Sequence, residues 1–184
     1  MLQAEQIANT STLTINSGAF SLGTYSETIN SLQGSGGTVS TGTGSVLTIA
    51  NGGTYSGAIT GTGGASLTGG ALVLSGINNT YSGATTLSNG AILRLGASNA
   101  YSANSDVTLS DTSQLDLNAF SSTIKSLTGA IGTTVANGGT LTISNGGAFS
   151  GIISNATSLA LTGGTLVVSG ANIYSGATTI SNAA

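Results

Sequence analysis

Short runs along the chain alternate apolar and polar residues: STLTIN (11–16), SVLTIA (45–50), GALVLS (70–75), AILRLG (91–96), SQLDLN (113–118), GTLTIS (139–144) and LALTGGTLVVS (159–169). A period of two places successive side chains on opposite sides of an extended backbone, so each run predicts a β-strand with one buried face. Asn-Gly and Gly-Gly pairs, with Ser, separate the runs and supply residues that tolerate positive φ at corners. The one departure is a turn over LQAEQIA, where Leu2 and Ile7 share a face while Gln3 and Gln6 point outward.

The runs belong to a longer repeat. Residues 24–59 align with 119–153, and LTGGALVLSGINNTYSGATTLSNG (67–90) aligns with LTGGTLVVSGANIYSGATTISNA (161–183), at an offset near 95 residues with slips of one. The chain therefore reads as a single domain over 1–184, with repeat one at about 1–95 and repeat two at about 96–184. Strands recurring at roughly 20 to 26 residues predict an all-β parallel β-solenoid, a β-helix of about eight coils. At about 4.8 Å per coil it would be a rod some 40 Å long. A β-sandwich or β-barrel is the competing all-β reading, and neither predicts a unit of this length repeating in register. The expected core ladder is Leu72, Leu74, Leu93, Leu95, Leu115, Leu117, Leu141, Ile143, Leu166 and Val168.

Composition narrows the chemistry. The 184 residues include 30 glycines, no proline, cysteine, histidine or tryptophan, and seven charged side chains with a net charge of −3. With no basic patch, nucleic acid and anionic membrane are not expected as partners. No apolar run has the length of a membrane span, so membrane insertion is not expected, and MLQAEQIANTS lacks the basic start and apolar stretch of a secretory signal. Disulfides are excluded, and any metal site would rest on oxygen ligands alone.

The segments GALVLSGINNTYSGATTLSNGAILRLG (70–96) and GTLVVSGANIYSGATTISNA (164–183) resemble the autotransporter-associated β-strand repeat. Its pattern is a Gly-Thr-Leu strand, a Gly-Ala-Asn turn, Tyr-Ser-Gly, a Thr-Thr-Ile strand and a further Gly-Gly-Thr-Leu. The resemblance implies a right-handed parallel β-helix of the kind found in large secreted bacterial passengers, which serve as adhesins or stalks, and an extracellular or cell-surface location. In the last copy Leu166 and Val168 would point inward, Asn172 would sit at a corner and Tyr174 would cover the next coil. Thr178 and Ile180 would then begin the following face.

That last copy stops before the strand that follows in the first. Joining one chain's end to another's start sets Ala184, Met1, Leu2, Gln3 and Ala4 beside Ala91 to Leu95, and matches STLTIN (11–16) to SQLDLN (113–118). Bare solenoid ends template association, and a contact between unlike ends propagates as a filament unless it closes a ring. The expected function is a structural subunit of an extracellular filament that stacks head to tail on itself. Its interface would be Met1, Leu2, Ala4, Ile7, Leu13, Ile15, Tyr174, Thr178, Ile180, Ala183 and Ala184. Two other readings stand beside it: a fragment of an autotransporter-type adhesin or stalk, and a monomer capped by a short helix at LQAEQIA.

Enzymatic chemistry is not expected, and neither is a cofactor. Without His or Cys a nucleophilic serine would need Lys125 as its base, and STIKSL places that lysine on a solvated face. Asp106, Asp111 and Asp116 suggest a carboxylate pair for glycoside hydrolysis or weak calcium binding, yet alternation points Asp116 away from the core and the trio does not recur. The Gly-Gly pairs lack the aspartate of calcium-binding nonapeptides. Ice binding is a further reading, since ATT and TLT supply threonines on a charge-poor solenoid, although no Thr-x-Thr rank recurs at every coil. A glycan or surface ligand is compatible with the chain and specified by nothing in it.

Overall fold

The computed structural model describes residues 5–181. Its twenty-three strands are two to five residues long, and every strand pair is parallel. The first coil consists of β1 (Thr12–Thr14), β2 (Ala19–Gly23) and β3 (Glu27–Ile29). The second holds β4 (Ser31–Gly34), β5 (Thr38–Thr41) and β6 (Val46–Ile49), and the third β7 (Gly52–Tyr55), β8 (Ala58–Gly61) and β9 (Gly64–Leu67). In the fourth and fifth coils only two sides are strands: β10 (Ala71–Leu74) with β11 (Thr85–Leu87), then β12 (Ile92–Leu95) with β13 (Asp106–Leu109). Three sides return in the sixth coil as β14 (Gln114–Asp116), β15 (Ser122–Ile124) and β16 (Ser126–Gly129). The seventh holds β17 (Thr134–Ala136), β18 (Thr140–Ile143) and β19 (Gly147–Phe149); the eighth holds β20 (Ile152–Ile153), β21 (Ser158–Leu161) and β22 (Leu166–Val168). A last strand, β23 (Thr178–Ile180), begins a further turn.

These coils stack into a three-sided β-solenoid. Face one is the eight-stranded sheet from β1 to β20, and face three the eight-stranded sheet from β3 to β22. Face two is split into β2-β5-β8 and β15-β18-β21-β23. Between those halves, residues 75–84 and 96–105 take the place of strands. Tyr81 and Tyr101 lie there, almost wholly buried, so that a ring fills the interior where a strand would have sent two aliphatic side chains. Thr80 and Ser82 still donate backbone N–H bonds to Ile59 and Gly61 on the coil below, which keeps the ladder satisfied without regular strand geometry.

The core is a column of inward residues one rung apart. Leu72, Leu74, Leu93, Leu95, Leu115, Leu117, Leu141 and Ile143 are buried, whereas Leu166 and Val168 in the eighth coil are half-buried. Stacking in register is what buries them, at about 1.5 to 3 kcal/mol for each fully covered aliphatic side chain. Corners use left-handed backbone at Asn89, Asn99, Asn118, Asn137 and Asn155, with φ between 47° and 72°. Gly53 and Gly147 are needed for a second reason: at φ 133° and 136°, a Cβ on either would run into the carbonyl of Leu32 or Leu127 on the rung below.

Every pair of matching segments in the two repeats sits on different faces. β10 lies on face one of the fourth coil, and its counterpart β22 on face three of the eighth. β3 on face three matches β15 on face two, and β6 on face three matches β18 on face two. The sequence repeat thus spans four coils and two further faces, so a copy is displaced by a fractional turn and its residues do not stack over those of the copy before. Followed backwards, the same rule pairs β1 with β13. STLTIN therefore matches the segment around Asp106–Leu109, and the expected match to SQLDLN is corrected by one face.

Among the described residues no helical cap forms. Residues 5–11 are turn and extended chain, with Glu5 at φ 55° and Ser11 N–H bonded to the Ala8 carbonyl at 2.7 Å. Residues 1–4, which complete the expected helix, lie outside the described residues.

Candidate functional site

The carboxylates singled out in the sequence are not brought together. Asp106 on face three accepts hydrogen bonds from Lys125 Nζ at 2.8 Å and Ser126 Oγ at 2.6 Å, and these donors hold its carboxyl below the ordinary carboxylate range. Asp111 accepts from the Asn89 N–H at a corner. Asp116 lies on face one and pairs with Arg94 Nε at 2.6 Å. Its side chain leaves the core side of the strand, as expected, but it is buried, because Arg94 from the coil below and the turn at Asn118 close over it. Each carboxylate thus has its own structural partner. Lys125, half-exposed, is bound to Asp106 and not to a serine nucleophile. Among the described residues no group of three or more acidic side chains is placed to share a metal ion, and no helix is long and apolar enough to cross a membrane.

One arrangement invisible in any single segment appears on face three. Thr28, Thr48, Ser66, Thr86, Thr108 and Thr128 are successive register partners, each an outward residue one position before the end of its strand. The sequence reading missed this rank because it looked for Thr-x-Thr within a strand, whereas the period runs across coils. Thr86 Oγ1 donates to Ser66 Oγ at 2.9 Å, so part of its hydrogen bonding is spent inside the rank.

The strongest contrast lies between the two copies of one motif. In the first copy the Tyr81 hydroxyl and Thr85 Oγ1 are 2.7 Å apart and buried, and Thr85 Oγ1 is 2.8 Å from Ser105 Oγ of the next coil. Burial pushes the Tyr81 phenol above its ordinary value, while the Thr85 and Ser105 hydroxyls pull it back. In the second copy Tyr174 and Thr178 keep the same 2.7 Å contact, but it is exposed, and among the described residues no hydroxyl plays the part of Ser105. Asn79 and Asn172 likewise accept from the Ile59 and Ile153 N–H groups, at 2.6 and 2.8 Å, yet only Asn79 donates onward, to the Ala100 carbonyl one coil further. Leu87 is 1% exposed and its counterpart Ile180 is 68% exposed.

The end coil therefore presents a shallow groove of about 120 Å³ lined by Leu159, Leu161, Leu166, Val168, Tyr174 and Ile180, with Thr178 and Thr179 at its rim. Of the expected interface residues, Tyr174, Thr178 and Ile180 stand at this end. Ile7 and Leu13 are half-covered at the other, where Ile15 is already buried. Met1, Leu2, Ala4, Ala183 and Ala184 lie outside the described residues.

Comparison with known proteins converges on the same two segments. No curated protein and no solved structure matches the chain. The family model of the passenger-associated-transport-repeat matches residues 69–93 and 163–183, the two copies that carry the Tyr-Thr pair, and together with the parallel solenoid this fits an autotransporter-associated β-strand repeat.

Proposed function

We propose that the chain is a non-enzymatic structural segment of a passenger-type β-solenoid, displayed on or outside the cell, whose C-terminal coil is completed by a further coil. In the finer form of this reading a second copy supplies that coil and the chains stack head to tail into a filament. The observation that carries it is the exposure of a motif at Leu166–Ile180 that is buried when a coil covers it at Leu72–Leu87. Covering Ile180, Tyr174 and the groove walls removes apolar surface from water, and the strand edge forms backbone bonds worth about 1 kcal/mol net each. No nucleic acid, cofactor or inserted membrane enters this reading; a glycan or surface ligand remains compatible with it.

The passenger-repeat match favours a second source for the covering coil, namely further coils of a longer adhesin or stalk. Electron microscopy of the purified chain in dilute neutral buffer separates the two. Long unbranched filaments support self-stacking. Monodisperse short rods at all concentrations overturn it and leave the stalk segment.

A further inference from the structure

The N-terminal segment has the shape of the piece that covers the first copy of the motif. Residues 5–11 repeat four backbone hydrogen bonds of 99–105. Glu5 and Asn99 have φ of 55° and 59°, and donate N–H bonds to the Ser26 and Ser121 carbonyls. The Ile7 N–H donates to Glu27 Oε1 at 3.0 Å where the Tyr101 N–H donates to Ser122 Oγ at 3.2 Å. Ser11 N–H meets the Ala8 carbonyl as Ser105 N–H meets that of Ser102, and the two serine carbonyls accept from Asn30 and Lys125 respectively. Inside the solenoid, 99–105 is the segment that seats on the Tyr81-Thr85 motif, with Ser105 Oγ donating to the Gly83 carbonyl at 2.7 Å.

Resting on the self-stacking reading above, we infer that residues 5–11 of a second copy seat on Asn172–Thr178, with that copy's Ser11 taking the place of Ser105, so that each subunit turns by one face relative to the last. The following strand then pairs as β13 pairs with β11. Because Thr86 is the partner of Thr108, Thr179 becomes the partner of Thr14 in the second copy, and Ile180 is covered by Ile15 as Leu87 is by Leu109. β1 belongs to face one and β23 to face two, so face one of each subunit continues face two of its predecessor. The register is selected by the fractional repeat itself. A stack that kept like faces together would set β1 above Ile173 and Ser175 and β2 above β23, so that Thr178 would face β2 and Ser11 would not reach it.

This geometry sets the symmetry of the filament. The subunit step is nine coils and one face, a rise of about 45 Å at about 4.8 Å per coil, with a third of a turn added to any twist the coils carry. The like-face stack gives about 43 Å and no added rotation.

The absence of cysteine makes the contact directly testable. A T14C/T179C chain, with both sites on exposed threonines, is oxidised under assembly conditions and run on a non-reducing gel. T86C/T108C serves as the reference, since it places the same pair within one chain. The expected result is a reductant-sensitive ladder of dimers, trimers and longer species, absent from either single variant. Filaments of the unaltered chain should also show the third-turn step in their helical symmetry. Filaments without the ladder, or with like-face symmetry, overturn the register and leave self-stacking intact. Neither filaments nor ladder overturns self-stacking as well.

Discussion

Arg94 Nε and Asp116 Oδ2 stand 2.6 Å apart on neighbouring rungs of face one, and the two residues are register partners. Asp116 is almost fully buried, and the same strand's backbone carbonyl lies 2.8 Å from the hydroxyl of the interior Tyr101, which has the Leu93 carbonyl as its other acceptor. This is the most buried charge in the middle coils, where face two lacks its strands. Arg94→Ala removes the cation and part of the cover, leaving the carboxylate with the Asn118 N–H as its remaining donor, and is expected to cost about 1 to 2 kcal/mol. Denaturant unfolding checks it; adding Asp116→Asn should recover part of the loss.

The same site sets an alkaline limit. Burial first, then the Asp116 charge, push the Tyr101 phenol well above its ordinary value near 10, with Arg94 acting in the opposite direction. A group whose folded value is raised contributes stability that is full below its unfolded value and is lost as pH rises towards the folded one. Stability should therefore fall above about pH 10. Phenolate absorbance at 295 nm should show Tyr101 titrating with unfolding and not before it.

At the acid side the relevant carboxylate is Asp106, depressed by its bonds to Lys125 and Ser126. A depressed value contributes stability above the unfolded carboxylate range that disappears as pH falls through the folded value. The side chain is 44% exposed, so solvent screening keeps the effect small. Lys125→Ala should raise the Asp106 titration midpoint measured by NMR while changing the melting temperature little.

Tyr55 places its hydroxyl in the interior with no hydrogen-bond partner among the described residues, and its counterpart in the second repeat is Phe149. Losing an unsatisfied buried hydroxyl costs nothing and relieves its desolvation. Tyr55→Phe is expected to be neutral or stabilising by up to about 1 kcal/mol in thermal or denaturant unfolding.

Gly53 gives the opposite expectation. A Cβ there meets the Leu32 carbonyl, and the φ of 133° is itself strained for any other residue. Gly53→Ala should destabilise by more than about 2 kcal/mol, as should Gly147→Ala, whereas alanine at the exposed Gly18 should cost about 1 kcal/mol or less because only φ is unfavourable there. A comparison of unfolding midpoints checks all three.

How much of this was legible beforehand differs by level. The strand runs, the eight-coil β-solenoid and the motif at 70–96 and 164–183 followed from local alternation and self-similarity, because burial on one side of a strand leaves a period-two trace in any single segment. The buried state of Asp116 did not, since alternation tells which side of a strand a residue leaves from and not what folds over that side. Nor did the threonine rank, whose period is the coil.

The amino-acid sequence by itself determined that this protein is a repetitive all-β stack with few charges and a motif copied twice. Only the tertiary structure decided how the copies relate. The number of residues per face, not the sequence repeat, sets where each strand lands, and a repeat of four coils and two faces turns every copy onto a different side. That fractional turn, together with the backbone bonds that residues 5–11 share with 99–105, is what sets the register of the proposed self-stacking.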